Sequence, residues 1–401
     1  MNTSRTSAPR ASSNSRVITR FQGVVKTAAI IATSLLLWSC ASGPGPVFSP
    51  ASQSPVYSVP RGGDEGLLPP VITQAKSRWV PVRWSELPGV DDDKLFEAWN
   101  AWVKSCERPG ATFAPLCGEV RRLSIASPEE QRAWMTSRLQ PYRVESLQGP
   151  VNGQLTSYYE PLLKASRQQA VGYDVPLYRT PAGFGSRRPW YSRQEIDTLT
   201  EARAALRGRE IAWLADPVDA MSLHIQGSGR LSVFEPDGSQ RVVRVAFAGT
   251  NDQPFRSVTQ WLTERGVRIT APWTESTKAW AAQNPQSVQQ MLWSNPRYIF
   301  FREEPLSELD AAFGPRGAQG VALTPGRSIA VDPGSIPYGT PVWLASRGGV
   351  ANLQRLVFAQ DTGSAIIGAV RADYFAGTGP EAGEFASRMN QPLQLWVLWP
   401  K

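Results

Sequence analysis

Histidine is almost absent from this chain: His224 is the single one in 401 residues. It sits in the apolar-flanked run Ser222-Leu223-His224-Ile225-Gln226, which reads as a strand, and a hydrogen-bonded strand residue is the expectation for it. A Ser-His-Asp triad would have to use this one imidazole. A zinc hydrolase usually draws on two or more His or Cys ligands, and the three cysteines are expected to be spent elsewhere. No metal and no cofactor is therefore expected, and carboxylates remain as the candidate acid and base.

Three aspartates near the C-terminus occupy suggestive places. Asp332 ends Ala330-Val331-Asp332 before Pro333-Gly334, and Asp-Pro-Gly is common turn chemistry, which accounts for it without a catalytic role. Asp361 follows the run Leu356-Val357-Phe358-Ala359-Gln360 and precedes Thr362-Gly363-Ser364; structural and chemical readings of it balance. Asp373 lies in Arg371-Ala372-Asp373-Tyr374-Phe375, where apolar and aromatic neighbours would desolvate a carboxyl and raise its pKa, as a general acid requires. Spacing alone does not decide for Asp373.

Two further segments offer ligand contacts. Gln226-Gly227-Ser228-Gly229-Arg230 combines an amide and a hydroxyl with glycines that let a ligand approach the backbone, although a plain hairpin turn has the same composition. Thr156-Ser157-Tyr158-Tyr159-Glu160-Pro161 mixes hydroxyl and aromatic groups, and is equally an ordinary strand end. Most of the fifteen tryptophans, such as Trp396 and Trp399, are expected to pack in the core.

The elements that must hold these residues are legible in part. Asp91 to Asp93 are expected to cap a helix with Leu95, Phe96, Trp99, Trp102, Val103 and Cys106 on one face. A second helix has Ser127 as N-cap, Pro128 at its first position and Glu130 closing a capping box, and ends before Pro141. Residues 153–302 turn to short β-branched and aromatic runs, at 222–226, 231–234 and 242–247, broken by Gly and Pro, which suggests a barrel or sandwich. Helices interrupt it, one capped by Ser192 with Glu195 and stopped by Gly208, another carrying Val258, Trp261 and Leu262 before Gly266. The last eighty residues predict strands at 328–331, 340–345, 355–359 and 393–399, with one helix over 381–389. Strands this short fit a small closed barrel.

The N-terminus points outside the cytoplasm. A basic stretch through Lys26, an apolar run over 27–38 and then Leu37-Trp38-Ser39-Cys40 form a signal peptide with Cys40 as a lipidation site; an uncleaved anchor is the alternative, but the run is short for a bilayer span. Removing residues 1–39 leaves 37 basic and 34 acidic residues, so the formal charge of +8 falls to +3, the excess belongs mostly to the targeting segment, and it gives no support to nucleic-acid binding. Cys106 and Cys117, maturing in an oxidising compartment, are expected to form one disulfide, with two buried thiols as the alternative. Residues 43–70, rich in Pro, Gly and Ser, read as a tether.

Taken together the motifs resemble the membrane-bound lytic transglycosylase A family of peptidoglycan-cleaving lipoproteins. The resemblance runs from about Trp79 to the C-terminus and rests on Ser157-Tyr158-Tyr159-Glu160-Pro161, Leu223 to Leu231 with the Gln226-Gly227-Ser228-Gly229 loop, Gly249-Thr250-Asn251, Asn295-Pro296-Arg297-Tyr298 and the three aspartates. Ser157 departs from the glycine of many relatives.

The resemblance implies an α+β fold that is mainly β. A double-psi β-barrel domain would be built from residues 77–155 and 304–401, behind a signal peptide (1–39) and a lipidated linker (40–76). A second β-rich domain (156–303) would be inserted into it, with a glycan groove between the two. By the same mapping Asp373 matches the catalytic aspartate and Asp361 its neighbour. Gln226, Gly227, Ser228, Gly229, Thr156, Tyr158, Glu160, Tyr338 and Thr362 become candidate substrate contacts. The implied reaction cleaves the bond between N-acetylmuramic acid and N-acetylglucosamine without water. The implied partners are peptidoglycan strands, the membrane through acylated Cys40, and proteins of cell-wall synthesis or division. A hydrolase of the same fold and a silent peptidoglycan-binding lipoprotein remain the alternatives.

Overall fold

The computed structural model describes residues 66–401; the signal peptide, Cys40 and most of the linker lie outside the described residues. Fifteen strands form the frame. In chain order they are β1 (Ile72–Thr73), β2 (Arg78–Pro81), β3 (Leu139–Glu145), β4 (Gly153–Glu160), β5 (Leu162–Ser166), β6 (Val175–Tyr178), β7 (Glu210–Leu214), β8 (Gly229–Phe234), β9 (Gln240–Thr250), β10 (Ile299–Glu304), β11 (Ser328–Val331), β12 (Pro341–Arg347), β13 (Asn352–Asp361), β14 (Arg371–Thr378) and β15 (Asn390–Pro400).

Nine of them make one sheet in the order β1-β2-β3-β15-β12-β13-β11-β14-β4, and a further pairing of β15 with β4 closes the last six into a ring. The pairs β11/β13 and β14/β4 are parallel and the rest of the ring is antiparallel. Successive side chains of a strand point to opposite faces, and both faces of this ring are covered. Val342, Leu344, Val357, Ala359, Leu395 and Val397 point into the barrel. Their neighbours Trp343, Leu356, Phe358 and Trp396 point outward against Trp99 and Trp102 of the helix Phe96–Ser105. Strands buried on both faces carry continuous apolar runs rather than alternation, which is why the C-terminal strands stand out in the sequence. Trp399 packs edge-on against Trp79 at 5.0 Å, and with Trp396 it serves the core.

The other six strands form an open mixed sheet, β10-β9-β8-β5-β7-β6, with helices packed against it. No pairing closes this sheet among the described residues, so the barrel or sandwich expected for 153–302 is corrected to an open sheet. The strand carrying Thr156 to Glu160 is β4 of the barrel, so the chain crosses between sheets at Pro161 and not at residue 156. The run at 222–226 is also corrected: it is the end of a helix, Pro217–Gln226, whose N-cap Asp216 accepts from Val218 and whose C-cap Gly227 has φ 79°. Val218, Ala220, Met221, Ser222, Leu223 and His224 are all buried, and a helix with buried residues around most of its circumference loses the 3.6-residue signature that distinguishes it from a strand.

The Ser127 capping box forms as expected on the helix Pro128–Arg138, and Ser192 with Glu195 caps Arg193–Thr198, after which a second short helix, Thr200–Leu206, leads to Gly208. Cys106 and Cys117 are joined by a disulfide. The cap expected from Asp91 to Asp93 is not formed: Leu95, in the left-handed region at φ 62°, starts the first helix, and Phe96 is exposed.

Asp93 is drawn instead into the barrel wall. Its two oxygens accept from Arg327 Nη1 and Nη2 at 2.6 and 2.8 Å and from the Leu356 amide at 2.8 Å. Burial pushes the carboxyl up, but the hydrogen bonds and charge of Arg327 outweigh it and hold Asp93 below the usual range. A group with a depressed folded-state pKa stabilises the protein above its unfolded pKa, and that contribution is lost as pH falls through the folded value. Replacing Arg327 by Met strands a buried carboxylate. Urea unfolding at pH 7 should show a loss of about 3–5 kcal/mol, with the loss shrinking toward acid pH where Asp93 is protonated; an unchanged midpoint would contradict the pairing.

Candidate active site

The site is built on the barrel around β11. Ala330 pairs on one side with Asp373 of β14 and on the other with Asp361 of β13, so the two carboxylates stand two strands apart, with Cα atoms roughly 10 Å apart at ordinary strand spacing. Strand β14 had no counterpart among the strands expected from sequence. Its neighbour β4 runs parallel in a register that sets Thr156 opposite Asp373.

Thr156 Oγ1 donates to Asp373 Oδ1 at 2.5 Å and itself accepts from Arg371 Nη2 at 2.7 Å. Arg371 is two residues before Asp373 on the same strand, hence on the same face; sequence reasoning passed over it, though that spacing was visible. Tyr158, two residues after Thr156, donates its hydroxyl to Asp361 Oδ2 at 2.8 Å, and the Ala318 amide donates to Asp361 Oδ1 at 3.0 Å. Nothing in the sequence marks the Gly317-Ala318 backbone as a partner of Asp361. Gly317 permits the approach: a Cβ there would lie 2.4 Å from the Gln360 carbonyl.

These surroundings give the aspartates different proton affinities. Asp373 is raised to about 6, first by desolvation, with the Thr156 hydrogen bond and the Arg371 charge opposing and the Asp361 charge adding to it. Asp361 is also raised by desolvation, against hydrogen bonds from Tyr158, Thr362 and Ala318. Asp332 goes the other way. Although burial opposes it, Lys76 at 2.8 Å and the Gly368 and Gly334 amides at 3.0 Å hold it below the usual range, so it serves the turn.

Between the barrel and the open sheet lies a cavity of about 670 Å³ whose lining includes Tyr158, Gln226, Gly227, Ser228, Asp361 and Thr362. Asp373 keeps partial exposure but stands beside this cavity, outside its lining. Gln226 Oε1 accepts from the Tyr159 amide at 3.1 Å, which ties the loop to β4. Tyr338 is half-buried and hydrogen-bonded to Thr362, and is not in the lining.

Three expectations are corrected here. Gly229 does not offer its backbone to a ligand: it lies in β8 under Leu223, whose Cδ1 would sit 2.4 Å from an added Cβ. Glu160 is not a substrate contact either. It is fully buried and takes Arg230 Nε at 2.8 Å, Arg244 Nε at 2.6 Å and the Thr378 hydroxyl at 2.9 Å. His224 is a helix residue; its Nδ1 accepts from Arg193 Nη2 at 3.0 Å, and burial, with the Arg193 charge, pushes its pKa well down and keeps it neutral.

The MltA specific insert domain model matches residues 154–302 and the 3D domain model residues 327–399. The chain is 40% identical to the structure of the lytic transglycosylase LtgG of Burkholderia pseudomallei, covering 84% of this chain and 99% of that one with a TM-score of 0.56. It is 26% identical to MltA of Neisseria gonorrhoeae over 84% of this chain and 96% of that one, with a TM-score of 0.70. Among curated proteins it is 28% identical to the membrane-bound lytic murein transglycosylase A of Vibrio cholerae over 254 residues, 61% of this chain and 64% of that protein's length. A closed barrel joined to an open mixed sheet is thus an architecture that this chain shares with solved lytic transglycosylase structures. The chain belongs to the membrane-bound lytic transglycosylase A family.

The balance around Asp373 gives opposite signs for two substitutions. Thr156→Val removes a hydrogen bond that favours the carboxylate, so Asp373 should titrate higher than about 6; Asp361→Asn removes a neighbouring negative charge, so it should titrate lower. Carboxyl 13C NMR titration reads both, and shifts of the same sign in the two variants would contradict this arrangement.

Proposed function

We propose that this protein is a lytic transglycosylase that cleaves the β-1,4 bond between N-acetylmuramic acid and N-acetylglucosamine in peptidoglycan and leaves a 1,6-anhydro ring on the muramic acid. It serves cell-wall turnover and remodelling. Its place is the periplasmic face of the outer membrane, held by acylated Cys40. The glycan lies in the cavity between the barrel and the insert and extends over β4 to Asp373. Among the described residues no helix is long and apolar enough to cross a membrane, and a lipid anchor fits that observation.

The observation that carries the reading is the Asp373 carboxyl, raised to about 6 by desolvation beside a second aspartate. One carboxyl then serves twice. Protonated Asp373 gives its proton to the glycosidic oxygen as the C1–O4 bond breaks, and the departing sugar leaves with a free 4-hydroxyl. The resulting carboxylate takes the proton of the muramic acid C6 hydroxyl as O6 bonds to C1. Because the nucleophile belongs to the substrate, the attack is intramolecular and no second catalytic carboxylate is required, unlike a carboxylate-pair glycosidase. Asp361, with Tyr158 and Ala318 on its oxygens, holds a charge or a proton near Asp373 and sets its affinity.

Purified sacculi digested by the wild-type enzyme should release anhydromuropeptides, identified by mass spectrometry. Asp373→Asn should lower the rate on the order of 10²–10⁴-fold. In the wild type kcat/KM should fall as pH rises through about 6, since the free enzyme must hold the proton on Asp373. Reducing ends in the products would instead support a hydrolase, and no release at all a binding lipoprotein. A fully active Asp373→Asn with a dead Asp361→Asn would move the acid to Asp361.

A further inference from the structure

The cavity that reaches Asp361 is markedly basic. Its lining holds four arginines, Arg108, Arg297, Arg302 and Arg316, and one carboxylate, Asp361. Arg302 is paired with Glu304 at 2.7 Å. The other three have no carboxylate within 4 Å among the described residues, and their guanidinium groups make few hydrogen bonds: Arg316 Nη1 to the Gly320 carbonyl at 3.1 Å and Arg297 Nη1 to the Gln253 carbonyl at 3.4 Å. Most arginines elsewhere that approach an acid do so closely, as in the bidentate pairs of Arg167 and Arg327. A concentration of unpaired guanidinium groups inside a concave site, rather than across the surface, focuses a positive potential on whatever occupies it.

Two of the four are held where they are by specific devices. Arg108 follows Cys106 of the disulfide by two residues, and its carbonyl accepts from Gln319 Nε2 at 3.1 Å. Its side chain lies over Gly320, where an added Cβ would come within 3.1 Å of Nη1. Arg316 opens the same loop, whose Ala318 amide binds Asp361. Both side chains are exposed, so their charge is available to a ligand, and both stand on the barrel side of the groove with the carboxylate pair.

We infer that Arg108 and Arg316 select anionic glycan strands by binding a carboxylate carried by the muramyl residue at the groove. This rests on the proposed action on peptidoglycan and extends it to substrate choice. Guanidinium presents a planar fork matched to carboxylate. A muramyl residue carries carboxylates in two ways, on its stem peptide or, once the peptide has been removed, on the lactyl group itself. A polymer of N-acetylglucosamine alone carries none.

The test uses the full-length protein in detergent and the double variant Arg108→Gln/Arg316→Gln. KM is measured for peptide-bearing strands and for amidase-stripped strands, and a neutral N-acetylglucosamine hexamer is measured as an inhibitor. The KM for anionic strands should rise on the order of tenfold, with a weaker salt dependence than the wild type, while the inhibition constant of the hexamer moves less than about twofold. A rise confined to peptide-bearing strands assigns the carboxylate to the stem peptide, a rise confined to amidase-stripped strands assigns it to the lactyl group, and a rise on both shows that the pair binds whichever carboxylate the strand presents. Unchanged KM on both strands, or a parallel weakening of the hexamer, overturns the inference. Circular dichroism establishes that the variant is folded, and the single Arg316→Gln, expected to move KM in the same direction, replaces it if it is not. Anhydro products from the wild type report separately on the proposed reaction, so the two can fail independently.

Discussion

Glu160 is the residue on which the two sheets turn. It ends β4, the last barrel strand before the chain crosses at Pro161, and it is buried without exposure. A lone carboxylate in such a place is costly, and it is tolerated here because Arg230 of β8 and Arg244 of β9 reach it from the open sheet while Thr378 of β14 reaches it from the barrel. Both arginines also donate to the Phe313 carbonyl, at 2.9 and 2.7 Å, on the segment by which the chain returns to the barrel. The outward and return crossings are thus fixed by one ionic cluster. Its consequence for chemistry is positional: β4 carries Thr156 and Tyr158, the direct partners of Asp373 and Asp361, so the clamp sets the hydrogen bonds that tune both carboxyls.

The three aspartates show how far environment governs one functional group. Asp332 meets an ammonium and two backbone amides and is held ionised. Asp373 meets one hydroxyl and one guanidinium, too little to offset its desolvation, and shifts toward neutral pH. Asp361 lies between these in its contacts, with more hydrogen bonds than Asp373 but no cation bound to it. The same barrel wall therefore holds an anion that locks a turn and a carboxyl poised to exchange a proton.

What the sequence made legible was what is local or buried on two faces. Ser127 with Glu130 and Ser192 with Glu195 declare helix starts within four residues, and the runs around Val342, Val357 and Val397 declare strands because both of their faces are covered. The helix 217–226 hid because six of its ten residues, spread around its circumference, are buried, although Asp216-Pro217 and Gly227 carried its start and stop. Asp93 was misread as a cap because its partner, Arg327, lies 234 residues away. Glu160 was misread as a ligand contact for the same reason: Arg230 and Arg244 are distant in sequence, and a buried ion triad leaves no local mark. Apolar and aromatic neighbours of Asp373 pointed to desolvation, which the geometry bears out; choosing it over Asp361 came from family resemblance, since the cavity lining holds Asp361 and not Asp373.

In the proposed reaction the substrate's own hydroxyl, and not water, closes the ring at a carboxyl that gives and then regains one proton. Digestion of purified glycan strands in H2 18O, followed by mass spectrometry of the new muramic acid ends, tests it directly. Intramolecular closure gives anhydro ends that carry no 18O. Incorporation of one 18O atom at C1 of each new end would contradict it.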